Sequence, residues 1–342
     1  MIIKPLITRF EKQDMHFVAK HGFFRAARLA RKHRKKHATP FIADTYQLAY
    51  ETGLSRRELF GLTRHPEYHY RILTLRKRNG GLRVLHAPLY QMKHAQQRIL
   101  KRILSHLPVS PYATAYVPGK GLADNAAPHV GHKYLLKMDI TDFFGSITYL
   151  QVISAAFPST LYPPQIGAIL TTLCCYKEVL PQGAPTSPVL SNIVMRHFDD
   201  AIGGWCKKRG IAYTRYCDDM TYSGMFDPTE VKSLVKYELK RFGFFINDKK
   251  TVVLRNGQRK VVTGIVVNEK PQTSAAYRRA IRQDLYYCRK YGFEAHLHKK
   301  GILVSPDTYK AQLLGRINYA LSINPSDIEL KEYREWLTAP VV

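Results

Sequence analysis

The stretch Tyr213-Thr214-Arg215-Tyr216-Cys217-Asp218-Asp219-Met220-Thr221-Tyr222-Ser223-Gly224 constrains this chain most, because strand-forming residues run up to an Asp pair and away from it again. Tyr, Thr and Cys before the pair and Met, Thr and Tyr after it favour strands. Asp-Asp is compatible with a tight turn, so a β-hairpin with two carboxylates at its tip is predicted. Asp is also an ordinary turn residue, and alone the pair has a purely structural reading. A second strand changes the weighing. Tyr134-Leu135-Leu136-Lys137-Met138-Asp139 is mostly apolar, as buried strands are, and it ends in a third carboxylate. Three carboxylates on neighbouring strand ends repel one another unless a cation lies among them. Few, hard oxygen ligands with room for substrate phosphates suit Mg²⁺. Two such ions about 3.5–4 Å apart clamp the attacking and leaving oxygens of an in-line phosphoryl displacement, so nucleotidyl transfer is the chemistry indicated.

Charge supports a polyanionic partner. Lys and Arg number 53 against 26 acidic residues, a formal net charge of +27, and nucleic acid fits that excess best. The 342 residues, 45% of them hydrophobic, suffice for a sizeable core divided among two or three subdomains. No run of about 18 apolar residues appears and Met1-Ile2-Ile3-Lys4 lacks a signal core, so a soluble, cytoplasmic protein with no membrane partner is expected. Cys174, Cys175, Cys206, Cys217 and Cys288 show no C-x-x-C pair and read as reduced, packed thiols.

Along the chain, Arg25 to His37 is a basic run with Ala and Leu interleaved, predicted as a helix closed by Pro40. It is either a phosphate contact or a solvated face. Two short helices follow in 41–66, the second with Ser55 and Glu58 as a capping box. Alternating residues from Tyr70 to Pro88 around Asn79-Gly80 predict a hairpin carrying Lys77 and Arg83 on facing strands, able to grip a triphosphate or simply exposed. Phe143-Phe144 is either core or a ring placed under a nucleotide sugar. Leu180 to Pro188 is a Gly/Pro-marked loop opening a helix, with Gln182 offering amide contacts. Strands are predicted at Val252-Val253-Leu254 and Lys260 to Asn268, joined at Asn256-Gly257, and helices rich in Tyr, Arg and Lys from 275 to 342.

Tyr216-Cys217-Asp218-Asp219 resembles the Y-x-D-D motif of reverse transcriptases, Asp139 to Phe144 the strand bearing their first catalytic Asp, and Leu180 to Pro188 their L-P-Q-G-x-x-x-S-P loop. Asn125-Ala126-Ala127-Pro128-His129 is similar to the N-A-x-x-H element of bacterial retron enzymes, Val262-Thr263-Gly264 to their V-T-G element, and Leu314 to Tyr319 with Asn324-Pro325 to their thumb segment. Cys217 departs from the commoner Ala of Y-A-D-D. The resemblance implies an α+β, right-hand polymerase fold with an antiparallel palm sheet, β-ribbon fingers and a helical thumb: a basic extension over 1–67, fingers and palm over 68–268, and thumb over 269–342.

It further implies that Asp139, Asp218 and Asp219 bind two Mg²⁺ with help from the Ile140 carbonyl. Lys77, Arg83, Asp142, Phe143, Phe144, Gln182 and Lys250 would handle dNTPs, Phe144 as steric gate and Lys250 or its neighbour Lys249 near the leaving pyrophosphate. Asn125, His129, Val262, Thr263, Gly264 and Arg316 would belong to RNA recognition. Implied partners are a cognate non-coding RNA of msr-msd type, primed from an internal 2′-OH, its branched RNA–DNA product (msDNA), and a neighbouring effector or toxin protein in anti-phage defence. On the length of the sequence, no appended ribonuclease H, maturase or endonuclease domain is expected. Alternatives are another bacterial defence or intron-like reverse transcriptase, or a catalytically idle RNA-binding scaffold; the presence of all three Asp argues against the scaffold.

Overall fold

In the computed structural model, which describes residues 39–40, 42–76 and 80–339, short helices alternate with antiparallel hairpins. The basic run 25–37 and Lys77 lie outside the described residues. Helices α1 (Thr45–Thr52) and α2 (Arg56–Arg64) precede a ribbon of β1 (Tyr70–Arg76) and β2 (Leu82–Pro88), followed by α3 (Tyr90–Arg102) and the short α4 (Leu122–Ala126). Strand β3 (Tyr134–Asp139) leads to α5 (Tyr149–Ala156), α6 (Pro164–Cys174) and α7 (Ser187–Lys207). The hairpin β4 (Ala212–Tyr216) and β5 (Asp219–Gly224), helix α8 (Pro228–Arg241) and strand β6 (Val252–Leu254) come next. A small hairpin, β7 (Val261–Val262) and β8 (Ile265–Val266), precedes α9 (Ala275–Tyr291), α10 (Phe293–Lys300), α11 (Pro306–Ile323) and α12 (Ile328–Thr338).

Local signals place these ends. The capping box forms as expected, with the Glu58 amide donating to Ser55 Oγ at 3.2 Å and the Ser55 amide to Glu58 Oε2 at 2.8 Å. Pro164 opens α6 and Pro306 opens α11 behind the Ser305 cap, positions where a missing N–H costs nothing.

Two units interleave along the described sequence. One takes in the residues up to Tyr116 with Ile140–Ala201 and Lys236–Ile246; the other takes in Val117–Asp139, Ile202–Val235 and the residues from Asn247 on. In the first, β1 and β2 pair from Tyr70↔Pro88 to Arg76↔Leu82. The base of this ribbon is tied down by Gln96, whose Nε2 donates to the Tyr70 hydroxyl at 2.7 Å and to the Leu173 carbonyl at 2.8 Å. Its distal residues Ile72, Leu75 and Leu82 are exposed.

The second unit holds a four-stranded antiparallel sheet in the order β4-β5-β3-β6. Apolar β3 is one of its two inner strands, as its sequence requires: Leu135, Leu136 and Met138 are buried between neighbours on both sides. The expectation of one strand over 260–268 paired to 252–254 is corrected. β6 pairs with β3, and 261–266 folds on itself around Thr263 and Gly264, both at positive φ (45° and 88°). Two successive positive φ values make the type I′ turn that suits a two-residue hairpin, and Gly264 accepts one of them without strain. Helices α9 to α12 share a core of Ile281, Leu285, Leu313, Ile317 and Leu330. The five cysteines are buried and none forms a disulfide, and burial pushes the Cys174 thiol up to about 12. No helix of the described residues is long and apolar enough to cross a membrane.

Candidate active site

The site starts from register. In the second unit Tyr216 pairs with Asp219, which leaves Cys217 and Asp218 as a two-residue turn; Asp218 therefore sits in the tip and Asp219 begins β5. Of the two turn residues Cys217 has positive φ (60°), the pattern of a type II′ turn. Fully buried Arg215 steadies it from below, its Nη1 donating to the Cys217 carbonyl at 2.9 Å. That role is not apparent in the sequence, where the only signal is a cation among strand-forming residues just before a turn.

Asp139, the last residue of β3, is the direct cross-strand partner of Asp219. Like charges facing across an antiparallel pair repel. Burial pushes Asp218 and Asp219 above the usual carboxylate range, Asp139 adding to the rise at Asp218 and Asp218 to that at Asp219. Two cations act against this: Lys137 lowers Asp219, and Lys250 Nζ lies 2.8 Å from Asp139 Oδ2, a bond that raises the lysine's own pKa. The Asn247 amide donates to the Asp139 carbonyl at 2.7 Å and so anchors the 3₁₀ turn Asp248–Lys250 there. Between the two candidate lysines, the structure brings Lys250 to the carboxylates. Among the described residues no three His, Cys, Asp or Glu side chains already converge as a metal-binding group. Self-repelling oxygen donors, Asp139 buried and Asp218 and Asp219 partly so, at the end of two strands nevertheless have the chemistry a hard divalent cation needs.

The first unit holds the adjoining segment. Ile140 is buried in a bridge to Ile246, and the Thr141 amide donates to the Phe245 carbonyl at 2.8 Å. Asp142 takes positive φ (43°) and lays its carboxylate against Gly145, where a Cβ would collide with it. Phe143 is core, its ring centroid 5.4 Å from Phe144 and 6.2 Å from Phe244, while Phe144 keeps part of its surface accessible. The Gln182 carbonyl accepts from the His86 amide at 2.8 Å, pinning the 180–188 loop to β2. Gly183, at φ 121°, sits so close that a Cβ there would lie 3.2 Å from the His86 carbonyl oxygen. Arg83 is exposed on β2 opposite Leu75.

The residues expected at RNA are of two kinds. Gly264 is exposed and Thr263 partly so, but Asn125, His129 and Val262 are buried. Asn125 Nδ2 donates to Thr263 Oγ1 at 3.2 Å, and His129 lies between the hydroxyls of Ser223 (2.7 Å) and Thr214 (2.8 Å). Burial holds the His129 ring down at about 3, with His132 adding to the effect. Arg316 is paired with Asp284 at 2.7 Å and lies over the Tyr277 ring at 5.8 Å.

Residues 75–310 match the family model described as reverse transcriptase (RNA-dependent DNA polymerase). The chain is 34% identical over 302 residues to the retron Mx65 reverse transcriptase of Myxococcus xanthus, covering 82% of this chain and 68% of that protein. It is 34% identical to the retron Ec86 reverse transcriptase of Escherichia coli (67% and 73% covered) and 31% identical to the Ec83 enzyme of the same species (79% and 88%). The chain belongs to the retron reverse transcriptases. It is thus an RNA-directed DNA polymerase of the right-hand fold. In this reverse transcriptase β4-β5-β3-β6 is the palm sheet, β1–β2 the fingers ribbon and α9–α12 the thumb.

Proposed function

We propose that this reverse transcriptase copies part of one structured non-coding RNA of msr-msd type, starting from an internal RNA 2′-OH, and keeps the branched RNA-linked DNA as its product. Kinship with retron enzymes supports the reading, and the observation that carries its chemistry is Asp139 set directly opposite Asp219, with Asp218 in the adjoining turn. Asp139, Asp218 and Asp219, with the Ile140 carbonyl, are the residues that would hold two Mg²⁺. Such ions would supply charge neutralisation for the attacking oxygen and the leaving pyrophosphate.

The chain's own residues do the rest. Lys250 occupies Asp139 until substrate arrives, then turns to the leaving pyrophosphate as proton donor. Lys77 and Arg83 take the triphosphate, while Asp142, Phe143 and Gln182 shape the nucleotide pocket. The exposed turn at Thr263-Gly264 and the thumb around Arg316 meet the RNA, whose phosphates the net charge of +27 attracts. The setting we propose is the cytoplasm, with a neighbouring effector protein in defence against phage.

Asp218→Asn tests the chemistry: primer extension falls by on the order of 10²–10³-fold or more while RNA binding stays. Persisting synthesis would remove Asp218 from the site. The product is tested by treating the nucleic acid that copurifies from the native operon with RNase, DNase and a debranching enzyme on a denaturing gel. A discrete short DNA that shifts on debranching is expected; RNA alone, or unbranched DNA, rejects the 2′-primed reaction.

A further inference from the structure

One hydrogen-bonded chain runs through the second unit from the Thr263-Gly264 turn to both strands of the hairpin that carries Asp218 and Asp219. Asn125 Nδ2 donates to Thr263 Oγ1 at 3.2 Å, and Thr214 Oγ1 donates to the Asn125 carbonyl at 3.3 Å. A carbonyl oxygen can only accept, so the Thr214 proton points at Asn125, and Thr214 accepts from His129 Nε2 at 2.8 Å. The Nε2 proton is then fixed. Nδ1 of a neutral ring accepts from Ser223 Oγ at 2.7 Å. Thr214 lies on β4 and Ser223 on β5, so the imidazole is a crossbar between the two strands of the catalytic hairpin. His129 is 0% exposed and Asn125 1%, which leaves neither side chain a face to offer RNA.

We infer that Asn125 and His129 are positioning residues, which lock the carboxylate-bearing hairpin in register and couple it to the Thr263-Gly264 turn. The inference rests on that hairpin being the polymerase centre and not on the branched product. A hairpin held at both strands has a fixed tip, and misplacement of catalytic groups by about 1 Å costs on the order of 10²-fold in rate. RNA that engages the exposed turn thereby acts on the catalytic geometry through Asn125.

The test uses poly(rA) primed with oligo(dT), a template with no structure to recognise. His129→Leu should lower kcat by about 10–100-fold with the dNTP KM within about twofold. His129→Gln, whose amide can still accept from Ser223 and donate to Thr214, should recover much of that loss. Unchanged homopolymer extension in His129→Leu, or equal losses in the Leu and Gln variants, overturns the inference. Should His129→Leu fail to fold, Thr263→Val against Thr263→Ser makes the same comparison from the other end of the chain, since Ser keeps the hydroxyl that Asn125 needs. A lower kcat in Val alone supports the coupling, and equal kcat values overturn it. In the unaltered enzyme, ¹⁵N-histidine spectra should show one ring protonated at Nε2 and bare at Nδ1; the opposite tautomer breaks the chain. Active Asp218→Asn would instead refute the polymerase centre itself, because that variant leaves the His129 network intact.

Discussion

Two adjacent phenylalanines divide two tasks. Phe143 is 4% exposed and packs on Phe244, so its removal costs core stability, whereas Phe144 is only partly covered and lies within a turn of Asp142. A ring with a free face can press on the sugar of an incoming nucleotide and leave no room for a 2′-OH. Phe144→Ala should therefore raise ribonucleotide use relative to deoxyribonucleotide use by about 10–100-fold, since excluding a hydroxyl by shape is worth roughly 1–3 kcal/mol. Single-nucleotide extension with rGTP against dGTP measures it. An unchanged ratio removes Phe144 as the gate. Cys217, by contrast, needs no specificity role: its positive φ and buried side chain belong to the turn.

At the scale of elements, the thumb is tied by a buried charge. Asp284 on α9 is 4% exposed and meets Lys300 of α10 and Arg316 of α11. Burial alone would push its carboxyl up, but the bonds to Lys300 and Arg316 outweigh that and hold it below the usual carboxylate range. A folded pKa below the unfolded value of about 3.9 gives stability that is present in full above that value and lost as pH falls through the folded one. Asp284→Ala should cost about 2 kcal/mol at pH 7, less than a fully buried pair because Lys300 and Arg316 are 41% and 31% exposed. Thermal unfolding followed by circular dichroism reads it, and the gap between the two proteins should narrow as pH drops below about 4. A gap constant with pH would assign the loss to packing alone. This network also shows what sequence does and does not carry. The α9–α12 helices, the β4–β5 hairpin and the three Asp are legible because period, turn chemistry and motif are local. Burial is set by the whole fold, so Arg215, His129 and Asp284 look like surface polar residues until their neighbours are known. Positive φ at Thr263 likewise turned an apparent strand over 260–268 into a hairpin.

For the whole molecule the governing quantity is charge. With a net +27 the enzyme is expected to bind RNA of any sequence strongly at low salt, so affinity by itself does not identify a cognate RNA. Selectivity must come from shape-dependent contacts that survive at higher ionic strength, while the phosphate contacts set the salt slope. The run from Arg25 to Lys36 holds seven of the cations, Arg25, Arg28, Arg31, Lys32, Arg34, Lys35 and Lys36. If these residues meet phosphates, replacing Arg31, Lys32, Lys35 and Lys36 with Gln should lower the slope of log K against log salt by about 0.7–0.9 for each phosphate no longer neutralised. Fluorescence anisotropy of a labelled structured RNA over a salt series measures the slope. An unaltered slope would make the run a solvated face and place the phosphate-binding cations elsewhere on the chain. Selectivity for one RNA fold over another should change little in either case, because phosphate contacts add charge and carry little information about shape.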